Sequence, residues 1–309
     1  MKKFFKWIGL LLGLSLCGLA IAAVLWVRQY QALSDDEPEI ILTPSIAEIT
    51  YCTMEGNPLT MDLYFPEPTT TMPAQVLVYV HGGSFTSGDK RKGSGSIDIQ
   101  EMVKRGFAVA AINYRLMPEH PIPAEVEDAK CAIRFLRAHA AEYNLDTNKI
   151  GIWGGSAGGH LAAMVGLTNG EAGYEIGEYL EQSSEVAAVV EMFGPTDLTL
   201  PMEWLQQILL QRAFNTADPN AEILQQASPV NYIRGDEPPF FILHGEQDSA
   251  VPVEQAEIFH QKLAGAGSNT KLLIVKNANH NFKPTGGPIE PGRMEISAMI
   301  ADFFSEYLS

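Results

Sequence analysis

The chain has 309 residues, of which 46% are apolar and 19% charged, and it carries a formal net charge of −16. That length suits one large α/β domain or two small ones, and that composition builds a packed core, which excludes a disordered chain. The charge argues against nucleic acid as a partner and against polyanionic substrates, which it repels.

The N-terminus opens with Lys2, Lys3 and Lys6, runs apolar from Trp7 to Val27 and meets Arg28. Such a run exceeds the roughly 7–15 apolar residues of a cleavable signal. At about 1.5 Å per helical residue, Trp7 and Trp26 stand about 28 Å apart, near the hydrocarbon thickness of a bilayer. With lysines before the span and Asp35, Asp36 and Glu37 after it, residues 1–28 read as a membrane anchor with its N-terminus inside. The alternative is a signal cut near Ala20-Ile21-Ala22; Leu16 before Cys17 disfavours a lipoprotein. Both leading readings export the remainder. Residues 29–45, polar and carrying Pro38 and Pro44, read as a linker.

From residue 46 to 309 the pattern is that of one domain. Ile46–Thr53 and Leu59–Phe65 flank the turn-rich Glu55-Gly56-Asn57-Pro58 and predict a hairpin. Short apolar runs follow at Val76–Val80, Phe107–Ile112, Ile150–Trp153, Val186–Met192, Phe240–Leu243 and Leu272–Val275, as in strands buried on both faces. Helical stretches at about 97–105, 123–142, 157–168, 253–265 and 292–308 alternate with them. The expected architecture is an eight-stranded, mostly parallel sheet with helices on both faces. Residues 170–184 and 197–236 break this rhythm, and Trp204, Leu205, Ile208, Leu209 and Phe214 are spaced for an amphipathic helix that either caps an active site or packs on the sheet.

Three cysteines and seven histidines show no metal-ligand spacing, and no metal or other cofactor is expected. Cys52 and Cys131, the only possible pair in the folded part, are read as buried free thiols.

Reactive residues follow the strand ends. Gly154-Gly155-Ser156-Ala157-Gly158 is a G-x-S-x-G motif between a strand and an apolar helix, the setting in which a sharp turn lifts a serine above the sheet. It makes Ser156 the candidate nucleophile and the Ala157 N–H an oxyanion donor. His81-Gly82-Gly83-Ser84-Phe85, directly after a strand, is the expected second oxyanion loop, with Gly82, Gly83 or Ser84 as donor and His81 as a brace. Of the histidines, His280 alone occupies a loop after the last predicted strand, where the order serine, acid, histidine puts the base. Asp248 is the preferred acid; Asp197, after the preceding strand, is the alternative.

Together with Asn113-Tyr114-Arg115-Leu116, Pro123-Ala124, Glu127-Asp128 and Val251-Pro252, these motifs resemble the hormone-sensitive-lipase-like esterases and the neighbouring acetylxylan/feruloyl-esterase-like group of the α/β-hydrolase fold, over residues 46–309. The resemblance implies a Ser156–His280–Asp248 triad, an acyl-enzyme and no cofactor, acting on a small-molecule or glycan ester, with short acyl groups expected. It departs from many relatives in carrying Ser84 where they have a third glycine, which leaves the second donor open. A small amidase, formamidase or peptidase would use the same triad, and a binding module that has lost catalysis is the remaining rival.

Overall fold

A computed structural model describes residues 42–67, 73–92, 95–170, 172–200, 214, 216, 218 and 220–309. The hairpin forms as β1 (Ile46–Met54) and β2 (Asn57–Tyr64), paired antiparallel. β3 (Ala74–Val80), β4 (Ala108–Ile112), β5 (Leu145–Gly155), β6 (Ala188–Met192), β7 (Phe240–Gly245) and β8 (Thr270–Val275) complete an eight-stranded sheet in the order β1-β2-β4-β3-β5-β6-β7-β8. β2 joins β4 antiparallel, and every later pairing is parallel.

Alternation along each strand divides the core into two layers. Val76, Val78 and Val80 of β3 face one side, packed with α2 (Ala124–Ala138), α3 (Ala157–Leu167) and α5 (Glu254–Ala266). Leu77 and Tyr79 face the other, packed with α1 (Gly95–Lys104) and α6 (Arg293–Leu308). A parallel sheet covered on both faces has continuous apolar strands, and β4 and β6 are buried at every position. Glu191 of β6 is the one acid in those two strands. A short helix, α4 (Glu222–Gln226), lies in the segment between β6 and β7. Residues Glu39–Ser309 form one compact unit.

The cysteine expectation is overturned: Cys52 and Cys131 form a disulfide. β1 packs against α2, which brings the two Cα atoms to 6.4 Å, within bridging range. Their 79-residue separation hid a contact that only the fold creates.

The apolar run Trp7–Val27 lies outside the described residues, as do Trp204, Leu205, Ile208 and Leu209 of the expected cap helix. Among the described residues no helix is long and apolar enough to cross a membrane. Phe214, from the end of that cap segment, is buried edge-on against Phe85.

Candidate active site

Ser156 stands alone between β5 and α3 with φ 58° and ψ −124°, left-handed backbone at a residue that bears a side chain. Such a conformation costs on the order of 1–3 kcal/mol and persists only where surrounding structure enforces it. Its N–H donates to Met192 O at 2.9 Å and its carbonyl accepts from His160 N at 3.0 Å. The turn is closed by backbone contact: a side-chain carbon at Gly158 would overlap the carbonyl oxygen of Val80 and lie 2.7 Å from that of His81. Glycine there is a steric requirement of the turn.

His280 Nε2 lies 3.1 Å from Ser156 Oγ, and its Nδ1 lies 2.7 Å from Asp248 Oδ2. The other carboxylate oxygen, Asp248 Oδ1, accepts the N–H groups of Ala250 and Val251 at 2.8 Å each. Burial alone pushes the Asp248 carboxyl up; the adjacent His280, with His244 and the Val251 N–H, outweighs it and holds the group below the ordinary range. Asp248 is therefore an anion, and its bond to Nδ1 assigns the proton there, leaving Nε2 a bare acceptor toward the serine.

Asn279 joins the two loops that carry this pair. Its side-chain oxygen accepts from His280 N at 2.7 Å, from Ser249 N at 2.9 Å and from Ser249 Oγ at 3.1 Å. Sequence reasoning missed it, because its partners lie 30 residues upstream as well as next door. Asp197, the alternative acid, is used otherwise: its Oδ1 accepts from Thr199 N and Oγ1 at 3.1 and 2.6 Å, and its Oδ2 stands 3.9 Å from Lys262.

The glycine loop approaches from β3. A side-chain carbon at Gly82 would lie 3.4 Å from Ser156 Cβ and 2.9 Å from Gly155 O, so the loop passes directly beside the serine. Each loop carbonyl is held from behind. Tyr114 Oη donates to His81 O at 2.8 Å, His81 Nδ1 to Gly82 O at 2.7 Å, and Thr86 and Ser87 N–H to Gly83 O at 3.1 Å. In a trans peptide the next N–H points the opposite way, so the N–H groups of Gly82, Gly83 and Ser84 turn away from those donors. None of the three has a backbone acceptor among the described residues. Ala157 opens α3, so its N–H has no acceptor within the helix. Ser84 and Phe85 take left-handed φ values of 53° and 65°. His81 is buried and stacked on Tyr114, and burial pushes its imidazole below the ordinary value, so it braces the loop as a neutral ring.

Beneath the serine lies a group that sequence reading left aside. Glu191 is fully buried, its Oε1 accepts the Gly194 N–H at 2.5 Å, and its Oε2 has no partner among the described residues. Burial is the main cause that pushes its carboxyl up to about 8. Near neutral pH it is an uncharged acid under the turn. Among the described residues, no three or more histidine, cysteine, aspartate or glutamate side chains gather into a possible metal site.

The BD-FAE family model matches residues 61–263, a span that contains the glycine loop, Ser156 and Asp248. Esterase LipC of Mycobacterium tuberculosis is 32% identical over 72% of this chain and 56% of its own length. The chain spans about half the length of the curated relatives it matches. A truncated carbohydrate esterase from gut microbiota superposes with a TM-score of 0.74 at 29% identity, covering 87% of this chain and 98% of that one. A thermophilic esterase of Thermogutta terrifontis, Est2, solved with butyrate bound, gives 0.68 at 26% identity, covering 85% and 94%. The same esterase has also been solved phosphorylated by paraoxon, with a TM-score of 0.70 at 26% identity over 86% and 95%.

Proposed function

The chain belongs to the BD-FAE family of α/β-hydrolase-fold proteins, and from that membership we propose that it is a serine carboxylesterase working through an acyl-enzyme on Ser156. The observation that carries this reading is the unbroken line of two hydrogen bonds from Ser156 through His280 to Asp248. His280 Nε2 takes the Ser156 proton as Oγ attacks the ester carbonyl. Asp248 holds the imidazole in the required tautomer and stabilises its cationic form. The Ala157 N–H and the N–H groups of the Gly82–Ser84 loop receive the oxyanion, where each donor is worth about 3–4 kcal/mol in comparable sites. The alcohol leaves with the proton from His280, and water repeats the cycle to release the acid.

Short acyl groups are the proposed acid portion, supported by the Est2 structure with butyrate. A carbohydrate is the proposed alcohol, supported by the likeness to the gut carbohydrate esterase. Export, with residues 1–28 as anchor, is supported by the lysine-flanked apolar run and by the Cys52–Cys131 disulfide, a bond that persists in oxidising compartments.

The test is hydrolysis of p-nitrophenyl acetate, butyrate and octanoate beside matched anilides, with Ser156→Ala in parallel. The expected result is ester turnover favouring the two shorter chains, lost by at least about a thousandfold in the variant, and stoichiometric inactivation by paraoxon. Full activity in Ser156→Ala would overturn the reading, and preference for the anilides would replace the esterase with an amidase.

A further inference from the structure

The Asp248 carboxylate has a second histidine beside it. His244, at the end of β7, is wholly buried, and its Nε2 lies 2.9 Å from Val251 O and 3.5 Å from Asp248 Oδ2. A carbonyl only accepts, so the bond to Val251 places the proton on Nε2. The other nitrogen, Nδ1, is buried with no partner among the described residues, as a bare lone pair. Burial, the largest influence, lowers the imidazole's affinity for a second proton despite the nearby anion. His244 is thus a neutral ring that donates its one N–H to Val251 O, beside Asp248 Oδ2. The other titratable groups around the pair are His280 across the carboxylate, Glu191 on β6 and Glu254 at the start of α5.

We infer that His244 is a positioning residue for the proposed hydrolysis: through Val251 O it holds the Asp248–Val251 turn from behind, with its ring 3.5 Å from the Asp248 Oδ2 that binds His280. This rests on the triad reading above and adds a member that acts only through Asp248. The turn it holds is the one whose Ala250 and Val251 N–H groups fix Asp248 Oδ1, so the His244 N–H on Val251 O steadies the turn that orients the carboxylate. Two chemical consequences follow. Without the N–H dipole 3.5 Å from it, Oδ2 keeps more of its negative potential for His280, so it stabilises the imidazolium more. The acid then swings on its backbone, which misaligns Nε2 from Ser156 Oγ.

The experiment compares His244→Phe, which keeps a ring but no donor, with His244→Gln, which keeps an N–H at similar reach. Steady-state profiles of p-nitrophenyl butyrate hydrolysis against pH are measured on the full chain. For His244→Phe the expected changes are a kcat lower by about tenfold with KM held, and an acid limb of kcat/KM moved up by about half a pH unit. His244→Gln recovers most of the kcat and returns the limb. Lost thermal stability alone would lower the apparent kcat with KM held but would leave the acid limb where it is, so the limb is the deciding readout. A wild-type profile in His244→Phe, or equal damage in both variants, overturns the inference. If His244→Phe does not fold, nitrogen NMR of the wild-type ring decides: the Nε2–H tautomer must persist, untitrated, from about pH 5 to about pH 9, and a titrating or Nδ1–H ring overturns it. Full activity in Ser156→Ala and His280→Ala would instead remove the triad reading; loss in those two with a normal His244→Phe removes only this one.

Discussion

Glu191 and Glu125 are the two carboxyls whose burial pushes them up from an ordinary 4.5 to about 8. Both Glu125 oxygens and one of Glu191 have no hydrogen-bond partner among the described residues. A carboxyl raised in the folded state binds its proton more tightly there than in the unfolded chain. Its contribution is therefore fully present below about pH 4.5 and is lost as pH rises through about 8. Glutamine is isosteric and stays neutral, so Glu191→Gln still accepts the Gly194 N–H while removing the loss. The expected outcome is a melting temperature equal to wild type near about pH 5 and several degrees above it at about pH 9, read by calorimetry across a buffer series. A constant difference at all pH values would mean that Glu191 is not titrating in this window. Aspartates are decided by partners in the same way. Asp248→Asn should lower kcat by about ten-thousandfold by presenting the wrong tautomer. Asp197→Asn should stay within about tenfold of wild type, since Asp197 only ties down Thr199 and faces Lys262. Equal losses in the two would reopen the choice of acid.

The glycine loop owes its shape to residues outside it. Asn113, just past β4, accepts the Lys90 N–H at 2.7 Å and donates to Asp89 at 3.1 Å, while Met117 N donates to Phe85 O at 2.9 Å. Lys90, almost wholly buried, reaches Glu48 at 3.0 Å, and Arg91 pairs with the buried Asp62 of β2. The segment from His81 to Arg91 is thereby pinned to the hairpin and to the residues after β4, which is how a loop with unpartnered N–H groups keeps them aimed. Tyr114→Phe deletes one pin, the donor to His81 O, and leaves that buried carbonyl without a partner. It should cost about 1–3 kcal/mol of stability, and it should lower kcat more than it raises KM, because the donors serve the transition state more than the bound ester. A KM effect alone would place Tyr114 in substrate binding instead. Of this bracing the sequence showed the glycine pair after a strand and His81 as its brace, but none of the partners that Asn113, Tyr114, Lys90 and Arg91 take. The serine at the strand-to-helix turn was legible because G-x-S-x-G meets a strand and a helix at the same place. Asn279 and His244 were not, since their partners are set by how two loops meet in space.

At the scale of the whole chain, the order of strands and helices was readable because each buried strand is a short apolar run with no competing period. The eight strands fall where those runs predict them, with β5 starting earlier at Leu145 and the helix from Ala124 ending at Ala138. What no local pattern carries is a contact between distant elements, and the Cys52–Cys131 bridge is the clearest instance. It links the outermost strand to the second helix and closes a loop of 79 residues, which includes the hairpin turn, β3, α1 and β4. Loop-closure entropy assigns such a crosslink about 4–5 kcal/mol of stability, acting mainly by restricting the unfolded chain. β1 is an edge strand whose one neighbour in the sheet is β2, so reduction should loosen the hairpin first and the sheet as a whole only on heating. The Cys52→Ser, Cys131→Ser double variant should therefore melt several degrees lower than wild type, while its kcat at about 25 °C stays within about twofold, because no triad member lies on β1 or α2. Calorimetry beside p-nitrophenyl butyrate turnover measures both. An unchanged melting temperature would show that the bridge constrains nothing the packing had left free, and a collapsed kcat would show that the hairpin reaches the site through Tyr51, whose hydroxyl donates to Asn113 O at 2.7 Å.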